Sequence, residues 1–403
     1  MEAETEEQVK IILLNYDLWD SEDDWQAFGG NENNWAVIGN QQGNPIPALV
    51  EKLVNSIDAV LMRECLIRDI DPESGHSPQT IEDALEEFFG IRDGNLVNVP
   101  PSQRTTLAMQ NIGIVATGRN KAPNYTIFDT GEGQSPSQMP NTLLSLAKSN
   151  KLRIPFVQGK FNMGGTGVLP YCGSNKLQLI ISRRHPYITD PSDETGQNWG
   201  FSLVRREDPS DGRKSSMFTY LAPEGKIASF WAAEMQIPVP ESSSVQERIP
   251  SLEWGTIIKL FDYELPAALK TMIKLDLYYR IALFLTKPGL PICLYEGRKY
   301  TMASPYIVMN GLHVRLDEDK GNLEAGFPSS HPLMVSGEAM NVKIYAFRKD
   351  KEKNYLKNEG IIFTINGQMH GAISQRFFSR KDINMGYISG SILILWINEK
   401  EVA

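Results

Sequence analysis

Glu51 and Asn55 stand four residues apart in the run Glu51-Lys52-Leu53-Val54-Asn55-Ser56-Ile57-Asp58-Ala59. On a helix that spacing puts a carboxylate and a carboxamide on one face, a turn apart. The amide oxygen can ligate Mg²⁺, a hard cation that prefers oxygen. The carboxylate can orient or deprotonate a water attacking a phosphorus. Asp58 follows one turn after Asn55. A solvated polar face is the alternative reading of this pattern. In Asp129-Thr130-Gly131-Glu132-Gly133 an acid precedes two glycines. Such an Asp can accept a hydrogen bond from an exocyclic amine, and Gly131 and Gly133 permit close approach of backbone to a ligand. An ordinary Asp-Gly turn is the alternative. From Gly159 to Gly167 the chain reads GKFNMGGTG, followed by apolar Val168-Leu169. Glycines ahead of a helix expose backbone N–H groups that suit phosphate. The pattern is not a Walker motif, since no Gly-Lys-Ser/Thr stands at the required spacing. Lys148 lies just upstream and can supply charge to phosphate; solvated lysines on a surface loop are the alternative. In Trp254-Gly255-Thr256 the Thr256 hydroxyl can support Asp129 or a water beside it, or Thr256 is simply a β-branched strand residue.

Regular elements must hold these residues. Residues 47–68 are predicted as a helix, with Pro47 in its first turn and Ala48, Leu49, Leu53, Ile57 and Val60 near a 3.6-residue repeat. Tyr125-Thr126-Ile127-Phe128 is predicted as a strand ending at Asp129. Residues 177–260 read as strands, beginning with Leu177-Gln178-Leu179-Ile180-Ile181 and interrupted by polar loops near 188–198 and 206–215.

Glu-x-x-x-Asn-Ser-x-Asp-Ala, then Asp-x-Gly-x-Gly, a glycine-rich lid and Gly-Thr, in that order, resemble the GHKL ATPase superfamily over roughly residues 30–265. That group includes Hsp90, MutL, MORC proteins and the ATPase domains of type II topoisomerases. Ala147-Lys148-Ser149 ahead of the lid resembles the Hsp90 and MORC branches. The resemblance implies a Bergerat-type fold, a two-layer α/β sandwich in an α+β chain, binding ATP and Mg²⁺. It implies Glu51 as the catalytic carboxylate, Asn55 as the Mg²⁺ ligand and Asp129 as reader of the adenine amine, supported by Thr256. Gly131 and Gly133 would admit base and sugar. Gly164, Gly165 and Gly167 would bind phosphates, with Lys148 nearby. Asp58 matches the family's Asp-Ala, where its role is more often structural. The lid departs from the simpler Gly-x-Phe-Gly-x-Gly form, because Asn162-Met163 separates Phe161 from the glycines. Which amides would touch phosphate is therefore open.

The expected organisation is an acidic, aromatic arm over 1–30, an ATP-binding domain over 31–264 with an insertion at 69–123, and a second domain over 265–403. The arm either exchanges between protomers or straps its own domain. The insertion holds a helix over 81–89 and the Pro100-Pro101 pair. In the second domain a helix over 275–286 precedes strands over 291–295, 342–348, 360–366 and 391–397, with Asn366-Gly367 as a turn. Arg376, Phe377 and Phe378 lie between the last two strands. This α+β pattern resembles the transducer domain of MutL and topoisomerases, which sends a lysine to the γ-phosphate. Lys287 is a candidate for it, a surface lysine being the alternative. The stop at Ala403, just after an apolar strand, suggests a compact protein or one lacking a C-terminal part.

Bulk properties of the 403 residues fit a cytoplasmic enzyme. The net charge of −9 gives no whole-protein attraction for nucleic acid or anionic membrane. Arg183-Arg184-His185 and Arg205-Arg206 are the best local basic clusters. There is no long apolar run, so no membrane association is expected. Cys65, Cys172 and Cys293 are isolated, as expected of reduced thiols. The five histidines show no metal spacing, and none sits in an obvious phosphoacceptor helix of a histidine kinase. The expected activity is slow ATP hydrolysis that closes the lid and pairs two protomers, in a MORC- or MutL-like switch acting on DNA in maintenance or defence. The alternatives are an Hsp90-like chaperone acting on proteins and a nucleotide-binding module without turnover.

Overall fold

The computed structural model describes residues 1–146, 151–159, 164–210, 213–240, 243, 245–266, 272–300, 304–335, 338–348, 360–374 and 392–399. Lys148 and the run 160–163 lie outside them, as do Arg376, Phe377 and Phe378. Helix α1 (Glu6–Asn15) leads to strand β1 (Trp25–Ala27), helix α2 (Asn34–Gly39) and the long helix α3 (Pro45–Leu66). Helices α4 (Ile81–Phe89) and α5 (Pro101–Asn111) precede β2 (Ile112–Gly118) and β3 (Pro123–Asp129). Then come β4 (Gln178–Arg183), β5 (Trp199–Glu207), β6 (Met217–Leu221), β7 (Ala228–Phe230) and β8 (Gly255–Leu260). Helix α6 (Tyr278–Phe284) is followed by β9 (Ile292–Glu296), β10 (Tyr306–Met309) and helix α7 (Gly311–Glu318). Strands β11 (Ser329–Val335), β12 (Glu338–Phe347), β13 (Gly360–Ile365), β14 (Gln368–Ser374) and β15 (Ile392–Glu399) complete the described elements.

The chain divides into two units, the first formed by Met1–Tyr278 with Gly289–Met309, the second by Tyr279–Pro288 with Asn310–Ala403. The first is built on a ten-stranded mixed sheet in the order β1-β6-β5-β4-β8-β3-β2-β9-β10, with β7 paired to β5. All its pairings are antiparallel except β2 with β9. Two sequence-based expectations change here. The stretch 291–295, placed in the second domain, supplies β9 to the first unit, Cys293 lying opposite Gly113. The stretch 69–123, expected as an insertion, contains the whole of β2, which lies in the interior of the sheet between β3 and β9. Every β2 residue but its last is buried, so the strand lacks the alternation that marks a half-exposed one.

Period-2 alternation sorts the side chains between the two faces. Leu179, Ile181, Phe128 and Ile257 share an apolar cluster with Val9 and Leu13 of α1 and Ala108 of α5. Ile180 packs in a different cluster, against Ile258. Asp129, Ser182 and Thr256 alternate onto that second face, which α3 covers through a bond from Ser56 to Asp129. Helices thus lie on both faces of the sheet. The N-terminal stretch straps its own chain: β1 pairs with β6, and the Arg205 guanidinium lies 3.7 Å over the Trp25 ring.

Helix α3 starts two residues before the sequence-based boundary. The Asn44 side chain caps it by accepting from the Ile46 N–H at 2.9 Å, and Pro45 opens its first turn. Leu49, Leu53, Ile57, Val60 and Leu61 are completely buried along one side. The second unit holds a five-stranded sheet in the order β11-β12-β15-β13-β14, parallel only between β13 and β15. Leu283, Leu312, Leu316, Tyr345, Phe347 and Ile362 form its core. Asn366 and Gly367 both have positive φ, 49° and 72°, and join β13 to β14 as a hairpin turn.

Gly255, at the start of β8, has φ +113°, and a Cβ there would stand 2.0 Å from the Asp129 carbonyl oxygen. Backbone cannot give way at low cost. Gly255→Ala should lose about 2–4 kcal/mol in urea denaturation. Gly90, the left-handed cap of α4, has open space around its Cβ position. Gly90→Ala should lose only about 1 kcal/mol. Equal losses would show that the close approach at Gly255 is not what constrains it.

Candidate functional site

Lys52, Asn55, Ala59 and Met62 recur along α3 at helical spacing and form one wall of a cavity of about 220 Å³. Ile180, Thr256 and Ile258 line it from β4 and β8, and Glu132, Gly133 and Gln134 from the loop after β3. Gly165, Thr166 and Lys151 line it from the glycine-rich stretch and the segment before it. Four of the sequence-predicted site residues, Asn55, Gly133, Gly165 and Thr256, therefore meet at one cavity.

The others are placed around it. Asp129 ends β3 directly across from Thr256 and is 5 % exposed. Its Oδ2 accepts from the Ser56 hydroxyl at 2.9 Å and its Oδ1 from the Gly131 N–H at 3.0 Å. Burial pushes its pKa up to about 7, outweighing both hydrogen bonds. Thr256 bonds not to Asp129 but to the Ser182 hydroxyl, at 2.9 Å. Gly133 has φ +62°, and a Cβ there would fall 1.8 Å from the Arg183 carbonyl oxygen. Gly131 does not line the cavity. A Cβ there would meet that of Ala59 at 2.4 Å, so its small size serves the seating of α3. Gly164 opens a short 3₁₀ turn, Gly164–Thr166, and Gly167 lies buried just behind it.

Asp58 is fully buried and points toward the start of the glycine-rich stretch. It accepts from the Gln158 N–H at 2.7 Å and the Gly159 N–H at 3.1 Å, and pairs with Lys151 Nζ at 3.1 Å. Burial raises its pKa despite these partners. This is a staple between α3 and the following loop. Glu51 does not line the cavity. Gln42 Nε2 donates to its Oε1 at 2.7 Å, while its buried Oε2 has no hydrogen-bond partner among the described residues. Burial raises the Glu51 pKa. A buried carboxylate with one unpartnered oxygen is a competent proton acceptor.

Sequence reasoning missed Lys52, Lys151, Ser56, Ser182 and Gln42. Lys52 is 6 % exposed, and burial lowers its pKa to about 8. Its spacing of three from Asn55 was visible, but a lysine beside a glutamate reads as solvated. Nothing local marks Gln42 as a partner of Glu51. Compared with models of known families and with curated proteins, the chain matches none. The fold and site together define a mixed α+β protein with a cavity of mixed polar and apolar lining between a long helix and a sheet.

The raised Asp129 pKa has a signed consequence for stability. A carboxyl raised from 3.8 to about 7 contributes most below pH 4, and that contribution is lost as pH rises to about 7. Asn at this position has no charge to bury. The denaturation free energy of the wild type minus that of Asp129→Asn should fall by about 3–4 kcal/mol between pH 4 and pH 7.5. A difference constant across that range would contradict the burial of this carboxylate.

Proposed function

We propose that the chain binds Mg·ATP between α3 and the sheet and hydrolyses the nucleotide slowly, as an ATPase of the GHKL type near the Hsp90, MORC and MutL branches. The observation that carries this reading is the convergence of Asn55, Gly133, Gly165 and Thr256 on one cavity, with Asp129 buried across from Thr256. Among the described residues no group of three or more His, Cys, Asp or Glu side chains can hold a metal alone. Mg²⁺ usually takes one or two protein oxygens and completes its shell with phosphate and water. A lone Asn55 Oδ1 at the cavity wall fits that use. The ion would there neutralise charge on the phosphates.

The Asp129 carboxylate accepts the adenine 6-amine. Gly133 lets the ring pass close to the backbone. The ammonium groups of Lys52 and Lys151 offset phosphate charge. Glu51 Oε2 takes a proton from water as the water oxygen bonds to the γ-phosphorus. The bond from that phosphorus to the bridging oxygen breaks, and ADP leaves with the electron pair. Closure of the glycine-rich stretch over the phosphates then favours pairing with a second protomer. The five-stranded α+β second unit supports comparison with a transducer domain, and so a switch acting on DNA in the cytoplasm. One observation favours a second reading. Glu51 is bonded to Gln42 and does not line the cavity, as in a nucleotide-binding module that turns over only after rearrangement.

Glu51→Gln keeps the shape and removes the base. Mg²⁺-dependent phosphate release should fall by about 10²–10⁴-fold while ATP affinity stays within about threefold. Binding without turnover in the wild type would favour the module. Equal turnover in both proteins would remove Glu51 from the chemistry.

A further inference from the structure

Lys151 lies outside the four motifs, yet its ammonium stands where the proposed site needs a cation. Nζ is 3.3 Å from Asn55 Oδ1 and 3.1 Å from Asp58 Oδ2. Asn55 Oδ1 is the oxygen assigned to the metal. Mg²⁺ on that oxygen would sit at about 2.0–2.1 Å. A cation so close to a lysine ammonium is repelled unless the ammonium leaves or an anion comes between them. The lysine side chain has room to leave: it lines the cavity and is 22 % exposed. Its anchor does not move with it, because Asp58 is fully buried and also holds the N–H groups of Gln158 and Gly159. Asp58 thus ties both Lys151 and the start of the glycine-rich stretch to α3.

We propose that Lys151 is a tethered stand-in for the metal, filling the cation position beside Asn55 before the nucleotide binds and passing to the polyphosphate when Mg²⁺ takes that position. The inference rests on the ATP reading above. Two consequences follow from the chemistry. Without Mg²⁺, the ammonium still offsets part of the phosphate charge, so metal-free ATP binds measurably. Transfer of Lys151 also breaks its bond to Asp58, so arrival of the metal alters one of the contacts that hold the segment leading to the lid.

The test is ATP affinity by titration calorimetry, in EDTA and in excess Mg²⁺, for the wild type, Lys151→Met and Lys151→Arg, each first shown to melt cooperatively. The readout is the ratio of Kd without Mg²⁺ to Kd with it. In Lys151→Met the ratio should rise about tenfold or more, because metal-free ATP loses one charge-assisted hydrogen bond, whereas with Mg²⁺ the lost phosphate contact is offset by no longer having to displace an ammonium from Asn55. Lys151→Arg keeps a cation and should stay near the wild-type ratio. An unchanged ratio in Lys151→Met, with wild-type ATP binding intact, would overturn this inference alone. A wild type that binds ATP in neither condition would overturn both it and the ATP reading. If Lys151→Met does not fold, Lys151→Gln carries the same expectation.

Discussion

The seating of α3 on the end of β3 is the constraint from which the site follows. Ser56, Ala59 and Arg63 lie at helical spacing, and each meets the loop that begins at Asp129. Ser56 donates its hydroxyl to Asp129, the Ala59 carbonyl accepts from the Glu132 N–H at 3.0 Å, and Arg63 donates to the Thr130 hydroxyl at 2.9 Å. Gly131 has no Cβ to hold Ala59 away. These links fix the rotation of the helix as well as its height. The rotation turns Lys52, Asn55, Ala59 and Met62 toward the cavity and Leu49, Leu53 and Ile57 into the core. A rotation of one residue, about 100°, would carry Lys52 and Asn55 toward the core and turn Leu49, Leu53 and Ile57 out of it.

Electrostatics adds a second layer to this packing. Glu51, Asp58 and Asp129 are all raised in pKa by burial. Each is handled differently. Asp129 has two neutral donors, Asp58 has backbone donors and a lysine, and Glu51 has one donor and one oxygen with none. Asp58 is the most fully satisfied of the three and Glu51 the least, an order that fits the anchoring contact of Asp58 and the proposed uses of Asp129 in recognition and Glu51 in proton acceptance. Removing an acceptor's partners raises the cost of its charge, which is why the bare Oε2 of Glu51 is costly to bury.

Much of the site was legible because its residues sit within local patterns. Periodicity located α3 to within two residues at each end, and the Asp-Gly and glycine-rich runs marked two of the loops that border the cavity. Strand partnership was not legible. β9 pairs with β2 across a long stretch of chain, and alternation shows which face a residue occupies but not which strand lies beside it. β2 was hidden within a supposed insertion because burial on both faces removes alternation altogether. The contacts that hold the acids were invisible for a related reason. Gln42 reaches Glu51 only because the loop before α3 turns back over the helix, and Lys151 reaches Asn55 only because the chain returns to α3 after the whole of β2 and β3.

The proposed ATP site turns on Asp129, buried across from Thr256, as the reader of an exocyclic amine. ATP and inosine triphosphate differ at that group, an amine in one and a carbonyl in the other, while their phosphates and sugar are the same. Calorimetric titration of the wild-type chain with both, in Mg²⁺ above pH 8 where Asp129 is ionised, isolates the contact. ATP should bind at least about tenfold more tightly, since the carbonyl of inosine would face a carboxylate with no hydrogen to share. Equal affinities would contradict this role for Asp129.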